Sequence, residues 1–187
     1  MHFSIVAFAA ALASVGSAIP TNLCFNIAVQ SDDSRYNGTE VSLRHEGAGI
    51  NWASLATGDG SIFKFKGSEI HAANANQNPE EQAALLIGLD NGLHVLEVGV
   101  LPEVGSDSWQ GGYSSDNEGR LTVNGTSEGW LACEGLNDPY AADVPFLAFS
   151  YDGKVPDNCA QVTPYTEYRA CLLNMPTPEP YATPEPY

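Results

Sequence analysis

Residues 84–98 read ALLIGLDNGLHVLEV, with an apolar run on either side of Asp90-Asn91-Gly92. An Asn-Gly pair between two apolar runs is the strongest short-range signal for a β-hairpin, because both residues tolerate a positive φ. The segment therefore predicts two antiparallel strands, 84–89 and 93–98, joined by a tight turn.

Short strands separated by turn signals are predicted on both sides of this hairpin. In residues 61–66, Phe63 and Phe65 alternate with two lysines, and a Gly-Asp-Gly turn signal precedes them. Similar runs occupy residues 25–29, 119–125, 129–133 and 146–151, and the second and third of these have the form of another hairpin. With 18 glycines in the chain, this spacing predicts an all-β fold, a compact antiparallel β-sandwich or barrel with short hairpins.

One segment carries the signals of a helix start. Asn78 is an N-cap type of residue, Pro79 follows it, and two acidic residues occupy the first turn. A strand-like run begins immediately afterwards. The sequence therefore predicts at most one short helix, of one or two turns, over residues 78–83.

The chain begins like a secreted protein. Residues 1–18 read MHFSIVAFAAALASVGSA, a long apolar run that ends in small residues, which is typical of a signal peptide cleaved after Ala18. The apolar part is too short and too rich in alanine for a membrane span. We expect residues 19–173 to form the secreted β domain, in an oxidising extracellular setting.

Four cysteines are present, Cys24, Cys133, Cys159 and Cys171, and an even number in a secreted chain indicates two disulfides. Three pairings are possible. Cys24 and Cys171 bracket the domain, so the favoured pairing is Cys24–Cys171 with Cys133–Cys159. No CxxC or HxxxH spacing supports a zinc site, and no metal or other cofactor is expected.

The balance of charge narrows the range of partners. Acidic residues outnumber basic ones 23 to 7, which gives a net charge of −16. Such a chain should repel nucleic acid and anionic membranes, which bind proteins through Lys and Arg. Residues 174–187 contain TPEPY twice and predict an extended, proline-rich, disordered tail; they have no apolar run for a membrane anchor.

Two kinds of surface residue are candidates for contact with carbohydrate. Asn37-Gly38-Thr39 and Asn124-Gly125-Thr126 have the form of N-glycosylation acceptors, and both contain a turn-forming glycine. Trp109 and Tyr113 lie among glycines and serines and are candidates for stacking on sugar rings. The alternative is that these two aromatic rings pack in the core or hold a loop in place.

Signatures of known catalytic sites do not stand out in the sequence. There is no HExxH or P-loop pattern, and His45 and His94 are expected to be surface or structural residues. Paired carboxylates could serve a glycosidase, with Asp32, Asp33, Asp59, Asp107, Asp116 and Glu118 as candidates. Because the chain has 23 acidic residues, close pairs will arise by chance, so we expect no enzymatic activity.

Four segments, residues 24–29, 79–95, 111–133 and 159–162, resemble the phialide cell-wall (PhiA-like) protein family of filamentous fungi. The resemblance implies a secreted, wall-associated protein of conidium-forming cells, without an established enzymatic activity and without catalytic residues to carry over. We therefore expect a non-catalytic fungal wall protein, structural or adhesive, whose partners are wall polysaccharide or other wall proteins. The alternatives are a secreted polysaccharide hydrolase and a secreted effector or antigen.

Overall fold

A computed structural model describes residues 23–47, 49–58, 60–73, 82–89, 91–100, 108–136 and 143–171, with Val100 and residues 108–110 described by their backbone alone. These residues form strands and turns, with no helix among them. Every strand pairing is antiparallel, and the prediction of an all-β fold is confirmed.

The described residues form fourteen strands. In chain order they are β1 (Leu23–Gln30), β2 (Glu40–Gly47), β3 (Ile50–Ala56), β4 (Phe63–Lys66), β5 (Glu69–Ala72), β6 (Gln82–Gly88), β7 (His94–Val100), β8 (Ser108–Gln110), β9 (Tyr113–Ser115), β10 (Leu121–Val123), β11 (Trp130–Cys133), β12 (Phe146–Phe149), β13 (Cys159–Gln161) and β14 (Thr163–Ala170).

The strand pairings form a closed path. From β1 the path runs through β2, β3, β7, β6, β5 and β4 and returns to β1. Strand β14 pairs with β1 along its whole length, while β12, β11 and β13 extend the sheet from β3 and β7. The result is a compact, sandwich-like fold.

The central hairpin forms as the sequence predicts. Strands β6 and β7 pair from Gln82 opposite Val100 to Gly88 opposite His94. In the turn, the Leu89 amide donates to the Leu93 carbonyl at 2.7 Å and Gly92 adopts a φ of 81°. That conformation is open to glycine without steric cost, which is why the Asn-Gly signal was informative.

Two local predictions are corrected by the pairings. Gln82 and Ala83, the end of the predicted helix, belong to β6, because extended pairing with β7 outweighs the local preference for a helix turn. Residues 74–81 lie outside the described residues. The predicted second hairpin also differs, since β10 pairs with β9 and β11 pairs with β12 and β13.

Apolar side chains pack on both faces of the central strands. The main cluster includes Phe25, Phe63, Leu96, Trp130 and Phe149, each with 1% or less of its surface exposed. A second cluster includes Leu93, Val95, Leu131, Cys133 and Phe146. Because neighbouring side chains on a strand face opposite ways, β7 and β11 contribute to both clusters.

Both predicted disulfides are present. Cys24–Cys171 joins the start of β1 to the residue after β14, and Cys133–Cys159 joins the paired strands β11 and β13. The two bonds span 147 and 26 residues of sequence, so they constrain the unfolded chain to different degrees.

We predict that removing the longer-range disulfide is the more destabilising change. Loop-closure entropy gives about 5 kcal/mol for Cys24→Ala/Cys171→Ala and about 3.5 kcal/mol for Cys133→Ala/Cys159→Ala. Equilibrium unfolding in urea under non-reducing conditions measures both values. A larger loss of unfolding free energy for the shorter loop would contradict the prediction.

Candidate functional site

A polar hollow lies where β1 ends and β14 begins. Its volume is about 330 Å³. The described residues that line it are Gln30, Ser31, Asp32, Asn37, Gln161, Val162 and Thr163. One lining residue is apolar, and the others offer amide, hydroxyl or carboxylate groups.

Hydrogen bonds of Ser31 join the two sides of the polar hollow. Its hydroxyl donates to the Gln161 carbonyl at 2.9 Å and accepts from the Asp33 amide at 3.1 Å. Its backbone amide donates to Asn37 Oδ1 at 3.2 Å. Gln30 on β1 pairs with Thr163 on β14 beside this contact. The register of the two strands therefore brings together Ser31 and Gln161, which are 130 positions apart in sequence.

Charged and polar side chains also fix the turn that carries Asp32 and Asn37. Arg35 contacts Asp33 at 2.7 Å and Glu134 at 3.2 Å, and the Tyr36 hydroxyl donates to Glu134 Oε1 at 2.7 Å. The Arg35 hydrogen bonds lower the pKa of Asp33, while burial and the Glu134 contact raise the pKa of Tyr36 to about 12. The contacts of Arg35 and Tyr36 with Glu134 attach the turn to the end of β11.

The lining of the polar hollow suits an uncharged, hydroxyl-bearing ligand. Asp32 is the one carboxylate among the described lining residues, and none of them is Lys, Arg or His. Within the part of the chain that the structure describes, no group of three or more His, Cys, Asp or Glu residues could hold a metal ion. The hollow can therefore offer hydrogen bonds from neutral donors and acceptors around one carboxylate.

Both candidate glycosylation residues lie on exposed turns. Asn37 lines the polar hollow, and the hydroxyl of the buried Thr39 donates to the Tyr36 carbonyl at 2.7 Å. Asn124 lies in the turn after β10 with a φ of 51°, the left-handed conformation that Asn tolerates better than most residues. The sequence alone did not indicate that Asn37 borders a ligand-sized space.

The structure corrects the prediction for Tyr113, one of the two rings expected to stack on sugars. Tyr113 is 1% exposed and packs in the main apolar cluster, because its position in β9 directs it inward. It therefore has no free ring face for a sugar. Trp109 lies in β8 and pairs with Leu86, and the structure describes this residue by its backbone alone.

The candidate carboxylates that the structure describes do not form a buried pair. Asp116 and Glu118 both contact Arg120, at 2.7 and 3.3 Å, near the surface. Partial desolvation raises the pKa of Asp116, but hydrogen bonds from Arg120 outweigh this effect, and the pKa is lowered. Asp59 and Asp107 lie outside the described residues.

A buried carboxylate outside the predicted candidate pairs is Glu97. It lies in β7 with 7% exposure, and the indole nitrogen of Trp52 donates to its Oε2 at 3.3 Å. Burial raises the pKa of Glu97, and the Trp52 hydrogen bond opposes this effect. Only the register of β3 against β7, with Trp52 opposite Glu97, reveals the contact.

The fold and the site together define a class of protein, a disulfide-linked, all-β domain with a small polar hollow at its surface. Residues 21–168 match a family described as a domain of unknown function, DUF7907, and the chain belongs to that family.

Neither the curated proteins nor the solved structures include a match to this chain. In the described ranges of the chain, no helix is long and apolar enough to span a membrane. The disulfides are compatible with an extracellular protein.

We predict that Glu97→Gln raises the unfolding free energy above that of the wild type, and that this gain is larger at neutral pH than at acidic pH. A pKa raised in the folded state means that the contribution of Glu97 to stability is present at low pH and is lost as the pH rises above its ordinary value of 4.5. Glutamine keeps an acceptor for Trp52 without the charge. Unfolding free energies measured from pH 4 to pH 8, roughly the range where such carboxyl groups titrate, check this prediction. The exposed Glu128→Gln serves as the control. Equal pH dependence in the wild type and Glu97→Gln would refute the prediction.

We also predict opposite outcomes for two substitutions of Tyr113. Its buried hydroxyl has no hydrogen-bond partner among the described residues, so Tyr113→Phe should leave the unfolding free energy unchanged or raise it by up to about 1 kcal/mol. Tyr113→Ala should cost about 3–5 kcal/mol, because it leaves a cavity in the core. Urea unfolding distinguishes the two; a large loss in Tyr113→Phe would show that the hydroxyl is bonded.

Proposed function

We propose that this is a secreted, non-catalytic protein of a fungal cell wall, structural or adhesive, that binds neutral wall polysaccharide in the polar hollow. The observation that carries the proposal is the lining of this hollow, in which amide and hydroxyl side chains surround one carboxylate. A saccharide presents hydroxyl groups that both donate and accept, and such a lining can satisfy them.

Size and polarity favour a short stretch of sugar chain over other ligands. The volume of about 330 Å³ lies at the lower end of the roughly 300–1,000 Å³ typical of small-molecule sites. Most such sites are apolar, whereas Val162 is the one apolar residue among the described lining residues. A lipid or an aromatic ligand would bury its surface against unsatisfied polar groups here, which is costly.

Charge favours a neutral polymer. The chain carries a net charge of −16, and Asp32 adds negative charge within the hollow itself. An anionic polysaccharide or a nucleic acid would be repelled both at long range and in the site. Uncharged wall polymers such as chitin and β-1,3-glucan meet no such barrier.

The carboxylates support binding in preference to hydrolysis. Glycosidases ordinarily use two carboxyl groups about 5–9.5 Å apart. Asp32 is the one carboxylate among the described residues that line the hollow, and the buried Glu97 contacts Trp52 on the β3–β7 pair instead. A secreted hydrolase is therefore the weaker proposal.

Location in a fungal wall is supported by independent features of the chain. The apolar N-terminal residues 1–18 have the form of a signal peptide, and the two disulfides suit an oxidising compartment. The resemblance to the PhiA-like phialide proteins adds the cell wall and, as part of this proposal, a role in conidium development.

Binding to insoluble polysaccharide tests the proposal. The secreted chain, produced in a disulfide-forming bacterial host that adds no N-glycan, is incubated with chitin, β-1,3-glucan and whole fungal wall. We predict retention that Asp32→Ala/Gln161→Ala weakens by about tenfold, as expected for losing two hydrogen bonds of about 0.7 kcal/mol each.

Asp157→Ala/Glu167→Ala serves as the control, since it removes exposed acidic residues that do not line the polar hollow. Retention of this control at the wild-type level assigns the effect to the hollow. Equal loss in both double variants, or no retention of the wild type on any wall material, would overturn the proposed function.

A further inference from the structure

We infer that an N-glycan on Asn37 seats its innermost sugar in the polar hollow and thereby excludes wall polysaccharide from it. The inference rests on the proposed function and concerns its regulation. Asn37 is both a glycosylation acceptor in form and a lining residue of the hollow. The modification and the binding site therefore share one residue.

The Asn37 side chain is oriented by a hydrogen bond. Its Oδ1 accepts from the Ser31 amide at 3.2 Å, which fixes the plane of the carboxamide. A sugar is attached at the other terminal atom, Nδ2, and so does not compete for this bond. The glycan can therefore leave the turn intact while its first sugar starts at the wall of the hollow.

The turn cannot easily carry the sugar away from the polar hollow. The Gly38 amide donates to the Val29 carbonyl at 2.9 Å, and the Asn37 amide donates to the Asp33 carbonyl at 3.1 Å. In the same turn, Arg35 and Tyr36 both contact Glu134. A sugar on Asn37 is therefore held at a defined position on the surface.

The chemistry of the hollow suits the innermost sugar of an N-glycan. N-acetylglucosamine presents hydroxyls and an acetamide, and Gln30, Gln161 and Thr163 offer complementary amide and hydroxyl groups. A ligand attached by a short tether has an effective concentration in the millimolar range. A tethered sugar would thus compete well against polysaccharide bound through a few exposed hydrogen bonds.

The folded turn also indicates when the sugar must be added. The hydroxyl of Thr39, which the glycosylation motif requires, is buried and donates to the Tyr36 carbonyl. A transferase could reach this hydroxyl only before the turn folds. The polar hollow would then form with the first sugar already in place.

The second motif provides a matched control. Asn124 is exposed, and it does not line the polar hollow. Its backbone amide donates to the Gly112 carbonyl at 2.8 Å, in the turn after β10. A glycan at Asn124 should leave the hollow open, so the two sites separate occupancy of the hollow from the general effect of carrying a glycan.

The experiment compares glycoforms of the secreted full chain from a glycosylating yeast: wild type, Asn37→Gln and Asn124→Gln. Mass spectrometry measures the occupancy of each site, and pull-down on chitin and β-1,3-glucan measures binding. We expect Asn37→Gln to bind at least tenfold more than wild type, and Asn124→Gln to bind like wild type. The unglycosylated bacterial protein keeps Asn37 and its bond to Ser31, and it should bind like Asn37→Gln.

A second measurement does not depend on polysaccharide. In the glycosylated wild type, NMR should show Overhauser contacts between the acetamide methyl of the innermost sugar and the side chains of Gln161 and Thr163, which line the hollow. Absence of these contacts, an unmodified Asn37, or equal binding by wild type and Asn37→Gln would overturn the inference. If the contacts are present but no form binds polysaccharide, the seated sugar is supported and the proposed function fails.

Discussion

The pairing of β1 with β14 is the contact on which the other parts of the structure depend. It runs from Leu23 opposite Ala170 to Gln30 opposite Thr163, so it joins the two ends of the described chain along a full strand. The edge of β1 that faces away from β14 pairs with β2 near one end and with β4 near the other, which closes the path of strands. The Cys24–Cys171 disulfide fastens one end of this pair, and the polar hollow lies at the other.

Three of the seven basic residues in this acidic chain help to shape turns. Arg35 pairs with Asp33, Arg120 with Asp116 and Lys154 with Asp152, each within four residues in sequence. Exposed pairs of this kind contribute little free energy individually. In each turn, however, the same acid also accepts a backbone hydrogen bond, so the pair selects one turn conformation. The turn that borders the polar hollow is one of the three.

Sequence patterns predicted the features that depend on local chemistry. The Asn91-Gly92 turn and its hairpin, and the disulfide that brackets the domain, all follow from short motifs or from chain order. The polar hollow could not be predicted in this way, because its two sides come from the end of β1 and the start of β14. Tyr113 was misplaced for a related reason, since flanking glycines suggest exposure but strand register sets the direction of the side chain.

The closed path of strands also bears on how such a protein behaves when it is crowded. Unpaired strand edges are templates for intermolecular β-sheet, and closing the path removes most of them from the central strands. The outer edge of β14 is bridged by Arg120 opposite Tyr165, and beyond it the exposed residues alternate Glu167 and Arg169 with uncharged ones. Charges placed along an edge strand oppose the stacking of further chains. The main sheet therefore offers little free strand edge on which a neighbouring molecule could add a strand.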